Sequence, residues 1–107
     1  MDLDVHEDYI EYLQNDLKVN ALHVVQKNDD VFVFIVTDET YSIIEENEFN
    51  SQKEAVIYAM GYRDRVNPKD DNIYLMELDP PYFPSHEDYV RNFQEKVDLW
   101  RAEYEAI

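Results

Sequence analysis

The chain has 107 residues, the size of one domain, and 45% of them are hydrophobic, enough to form a core. Its 25 acids against nine bases leave a net charge of −16, well beyond the magnitude of roughly 2–8 usual for small soluble domains. That balance argues against direct binding of nucleic acid and excludes an anionic membrane surface, since both need clustered Lys and Arg. Nine Tyr, five Phe and one Trp exclude a disordered acidic chain, which would lack aromatics.

The charge leaves two readings open: a basic protein surface as partner, or acidity that only keeps the chain soluble. There is no Cys, so disulfides and thiolate chemistry are absent, and a reducing, cytoplasmic setting is expected. No apolar run approaches the roughly 18–20 residues of a membrane span. The acidic start, Met1-Asp2-Leu3-Asp4, is unlike a secretory signal, which begins basic and then turns apolar.

Residues 3–18 are expected to form an amphipathic helix. At about 100° per residue, Leu3, Tyr9, Ile10, Leu13 and Leu17 share one side, and Asp4, Glu7, Asp8 and Glu11 gather on the other. Like charges one turn apart oppose a helix by a few tenths of a kcal/mol per pair, although the N-terminal turn favours acids.

The stretch 22–62 is the one the other elements pack upon. Residues 22–27 suit a strand, 28–30 a turn, and 31–36 a second strand. That second strand is apolar at Val31, Val33 and Ile35 and also at Phe32, Phe34 and Val36. A half-exposed strand would alternate, so this run predicts a central strand covered on both faces, by helices or by a second subunit. Asp38-Glu39 marks a turn, and 41–44 a third strand. Short turns make the three strands antiparallel neighbours.

Ser51-Gln52-Lys53-Glu54 has the form of a capping box and opens a second helix. Ala55, Val56, Ala59 and Met60 give that helix a narrow apolar face, and Gly61, the only glycine, is expected to end it. Residues 63–72 form a polar loop, and 73–78 a fourth strand. The three prolines in Asp79-Pro80-Pro81-Tyr82-Phe83-Pro84 allow neither helix nor central strand. This connector is expected to run extended, with Tyr82 and Phe83 tucked against the body.

Residues 86–106 are expected to form the longest helix, capped by Ser85 and roughly 30 Å long. Tyr89, Val90, Phe93, Val97, Trp100, Tyr104 and Ile107 line its inner side; Glu87, Glu95, Asp98 and Glu105 line its outer side, relieved by Arg91 and, at the margins, Lys96 and Arg101.

His6-Glu7-Asp8-Tyr9-Ile10 and His86-Glu87-Asp88-Tyr89-Val90 repeat one pattern at the two outer helices. The match stops after a few residues, so it is not a solenoid period. Consecutive helix residues point in different directions, so metal ligation there would require both helix starts to meet. No metal or cofactor is expected. His23 is read as a packed or exposed strand residue. With 25 acids in the chain, no carboxylate pair stands out as acid and base, a single Gly cannot build a phosphate cradle, and no Ser or Thr carries a nucleophile signature.

The fold expected is one α+β domain spanning 1–107, ordered α-β-β-β-α-β-α, with a mainly antiparallel sheet of three to four strands and three helices. The remaining signal is the acidic rows. Carboxylates one helical turn apart stand about 5–6 Å from one another, the same order as phosphate spacing along a strand. In size, charge and aromatic content the chain resembles the small acidic nucleic-acid mimics with which phages and plasmids inhibit restriction, CRISPR and nuclease systems. That resemblance implies a non-enzymatic, cytoplasmic inhibitor of a basic nucleic-acid-handling protein. Contact would be carried by Asp4, Glu7, Asp8 and Glu11, by Glu87, Glu95, Asp98 and Glu105, and by an exposed Tyr12 as anchor. The competing expectation is an oligomeric accessory domain, such as a homodimer, whose acidity is only solubilising.

Overall fold

The computed structural model of the chain describes residues 6–66, 73–78 and 82–106. In chain order these form α1 (Glu7–Asn15), β1 (Leu22–Asn28), β2 (Val31–Thr37), β3 (Ile43–Phe49), α2 (Gln52–Val66), β4 (Ile73–Met76) and α3 (His86–Glu105), the order the patterning predicts. One four-stranded sheet runs β3-β2-β1-β4. The first three strands are an antiparallel meander, and β4 pairs parallel with β1, with Leu22 opposite Ile73 and Val24 opposite Leu75. The parallel pair follows from α2, which carries the chain back across the sheet from one edge to the other.

The two-faced apolar strand is covered twice, by helices of the same chain. Phe34 and Val36 join Leu22, Val24, Ile73 and Leu75 under α2 and α3, in a cluster with Val56, Met60, Phe93 and Val97. Val33 and Ile35 face the other way and pack with Val25 under Tyr9 of α1. The result is three layers with the sheet in the middle. Phe34 is fully buried between the edge-on rings of Tyr58 and Tyr62, both 5.4 Å away between centroids.

Several boundaries depart from those read off the pattern. The first helix ends at Asn15, short of 18; residues 1–5 of the expected span lie outside the described residues. Beyond Asp16, tertiary bonds take over the backbone. The Lys18 carbonyl accepts from the Thr37 hydroxyl, and Asn20, in the left-handed region at φ 50°, donates its N–H to the Asp38 carbonyl. Leu17 therefore falls outside the helix.

The third strand starts later and runs five residues further than 41–44. The Asp38 carboxylate accepts from the N–H groups of Thr40 and Ser42, and Tyr41 takes φ 67°, so the turn extends through Ser42. The strand then continues through Glu45-Glu46-Asn47-Glu48, poor strand formers that pair with Val36 to Val33 because β2 offers them a ladder.

The capping box holds on one side: the Ser51 hydroxyl accepts the Glu54 N–H at 3.1 Å. Gly61 does not end the helix, which continues to Val66, so residues 63–66 are helical and not loop. An added Cβ at Gly61 would stand 3.4 Å from the Arg65 guanidinium and 3.7 Å from the Tyr104 hydroxyl. The glycine thus lies in the contact between α2 and α3. Residues 67–72 and 79–81 fall outside the described residues. The fourth strand ends at Met76, two residues early. Of the two aromatics expected to tuck down, Phe83 packs edge-on against Tyr89, whereas Tyr82 is 89% exposed. The last helix and its Ser85 cap stand as expected, Ser85 accepting from the Asp88 N–H at 3.2 Å.

The helical φ at Gly61 yields a direct test. A helix interior favours Ala over Gly by about 0.5–1 kcal/mol, and the added methyl meets its neighbours at ordinary contact distance. Gly61→Ala should therefore raise stability by about 0.5–1 kcal/mol in urea denaturation; a loss would show that α2 and α3 are closer than described.

Candidate functional site

The acidic side chains are exposed at Glu7, Asp8 and Glu11 on α1 and at Glu87, Glu95, Asp98 and Glu105 on α3; Asp4 lies outside the described residues. The fold does not bring the two rows together. α1 covers the Val25, Val33 and Ile35 face of the sheet, and α3 covers the Leu22, Val24 and Phe34 face. A partner groove engaging one row broadside therefore faces away from the other.

The α1 side gains acids that the pattern missed. Val33 stands opposite Glu48 and Ile35 opposite Glu46, which puts both glutamates on the α1 face of the sheet. Tyr9, at the centre of that face and 5% exposed, records their proximity. Burial, with Glu46 and Glu48 adding to it, lifts its phenol from an ordinary 10.0 to about 12. Glu7, Asp8, Glu11, Glu46 and Glu48 thus share one side of the molecule. Among the described residues, Glu48 meets Lys27 there at 3.3 Å. The signal for the two glutamates lies in the alternation of 45–49, which ends on Phe49 turned to the apolar face against Tyr58.

On α3 the bases are mostly engaged. Lys96 reaches Glu77 at 2.8 Å, Arg91 holds Asp88 at 3.1 Å, and Glu103 is bound by Lys53 of α2 at 2.6 Å. Glu87, Glu95, Asp98 and Glu105 make no ion pair among the described residues.

Tyr12 is not the exposed anchor expected of it. Its ring is half-buried, and its hydroxyl bonds His23 Nδ1 at 2.9 Å. Burial, the largest cause, raises its phenol well above the ordinary value, so the hydroxyl keeps its proton. His23 Nε2 meets the Lys18 backbone, 3.4 Å from its amide nitrogen and 3.5 Å from its carbonyl oxygen, and the ring lies 5.6 Å from that of Tyr74. His23 is fully buried and satisfied, the packed alternative of its two expected roles.

The two His-Glu-Asp helix starts do not meet. The His6 N–H donates to the Lys27 carbonyl, and its ring caps α1 by accepting from Asp8. His86 lines a cleft with Asp16 and Lys18, beyond the other end of α1, about 13 Å along the helix axis. Among the described residues no group of three or more His, Cys, Asp or Glu is placed to hold a metal ion.

That cleft, about 300 Å³, opens where the end of α1 and the start of α3 approach around β4. Tyr12, Tyr74, Tyr89 and Phe93 give its wall four aromatic rings, and the Tyr89 hydroxyl donates to the Leu75 carbonyl of the strand below. Its residues come from three separate segments, so no local pattern foreshadows it. Comparison with protein-family models, with curated proteins and with solved structures returned no match to this chain. Among the described residues, no helix is long and apolar enough to cross a membrane.

The Tyr9 phenol offers a check on the α1 face. Between pH 10 and 12 the unfolded chain releases this proton while the folded chain retains it, so stability present below pH 10 is lost through that window. Tyr9→Phe should lose less stability than the wild type between pH 9 and pH 11 in matched urea denaturations. Equal losses would show that the Tyr9 phenol is not buried as described.

Proposed function

We propose that this chain is a non-enzymatic acidic binding protein that occupies the basic surface of a nucleic-acid-handling protein, in the manner of a nucleic-acid mimic. The observation that carries this reading is the gathering of Glu7, Asp8, Glu11, Glu46 and Glu48 on one side of a packed domain. A rigid surface of fixed carboxylates meets Lys and Arg without first being ordered, which lowers the entropy lost on binding. The core under it, Tyr9 packed on Val25, Val33 and Ile35, supports that rigidity. The α3 row, turned to the opposite side, supplies a second acidic surface and long-range attraction rather than the same contact. A phage- or plasmid-encoded inhibitor acting in a bacterial cytoplasm fits this description, with a restriction, CRISPR or nuclease component as its target.

Steered association of this kind is fast and falls with salt, because exposed charges are screened beyond roughly 8–10 Å near physiological ionic strength. A partner identified by affinity capture from the native host supplies the assay. Glu7→Lys with Glu11→Lys should slow its association at least tenfold at low salt, with a much smaller change in dissociation rate. Folding should be intact or slightly improved, since the change relieves like-charge crowding on α1. The partner's own nucleic acid and this protein should exclude each other in competition. Simultaneous binding, or indifference to the double reversal, would refute the reading.

A further inference from the structure

We infer that the free edge of β3 receives an extended, Lys- or Arg-bearing strand of the partner, which adds to the sheet as a fifth strand. This rests on the acidic-recognition reading and names its mode. β3 is terminal in the sheet, paired on one side to β2, and among the described residues no backbone bond of the sheet meets its other side. Alternate N–H and C=O groups of β3 are thus left facing outward, a ready template for strand addition.

The occupant is defined by what flanks that edge. Glu46 and Glu48 stand on one face, and Glu45, Asn47 and Phe49 alternate on the other. A second copy of this chain is opposed, because antiparallel self-pairing would set these glutamates against one another, and like charges opposite across a ladder destabilise it. An incoming strand with basic residues on one face and an apolar residue at Phe49 on the other fits this edge. Its cations meet Glu46 and Glu48, and its apolar side meets the ring of Phe49. The register also limits where it can lie. Val36 pairs with Glu45 and Thr37 with Ile43, which leaves Ile44 as an extra residue without a partner. Ile44, 57% exposed, breaks the ladder at the start of the strand. The regular template is residues 45–49.

Two synthetic eight-residue peptides of alternating Lys and Val test this, the second N-methylated at its four central residues. They carry equal charge, but only the first can pair through its backbone. Titration of the full chain, followed by NMR, should show the first binding at least tenfold more tightly and slowing amide exchange within 45–49, with α3 unaffected. Glu46→Lys with Glu48→Lys should abolish the difference. If both peptides bind equally and salt-sensitively, edge pairing is overturned while acidic recognition stands. If neither binds at low salt, acidic recognition fails and edge pairing falls with it.

Discussion

Everything in this fold depends on a strand that is apolar on both faces. β2 sends Phe34 and Val36 to one side and Val33 and Ile35 to the other, and all four are buried. Leaving either face to water would forfeit burial worth roughly 1.5–3 kcal/mol per large side chain. The chain therefore spends helices on both sides: the long α2 and α3 on one, the short α1 on the other. This partition also decides the surface. Each covering helix turns its polar side outward, so the two acidic rows end up on opposite sides of the molecule.

The net charge of −16 is carried without a dense network of ion pairs among the described residues. Such pairs as are seen mainly join elements: Lys27 to Glu48 across the sheet, Lys53 to Glu103 between α2 and α3, Lys96 to Glu77 between α3 and the end of β4. Exposed pairs of this kind contribute little, typically 0–1 kcal/mol. Stability comes chiefly from the apolar layers, and Glu7, Glu11, Glu95 and Asp98 make no ion pair among the described residues. That separation is what makes charge reversal informative about binding and not about folding.

Much of the architecture was legible because periodicity and composition agreed. The two-faced run at 31–36, the capping box at Ser51 and the wide apolar side of 86–106 each named an element that the structure contains. What escaped was settled by tertiary contacts. Gly61 reads locally as a helix end, but the packing of α3 against α2 carries the helix past it. Glu45-Glu46-Asn47-Glu48 lies beyond the third strand expected at 41–44, and is strand because β2 supplies a ladder. The candidate surface was half visible for the same reason: the α1 acids follow from helical spacing, whereas Glu46 and Glu48 join them through cross-strand register. Tyr12 shows the reverse error, a polar-tipped side chain on a helix that finds a buried histidine eleven residues away.

The central claim is that the acids of α1 and β3 form one recognition surface. It is tested most directly by a hydrogen-exchange footprint of this chain bound to its captured partner, read at low and at high salt. At low salt, protection should cover α1 and residues 45–49 together, leave the outer side of α3 around Glu95 and Asp98 unchanged, and fade as salt is raised. Protection confined to α3, or a footprint indifferent to salt, would contradict it.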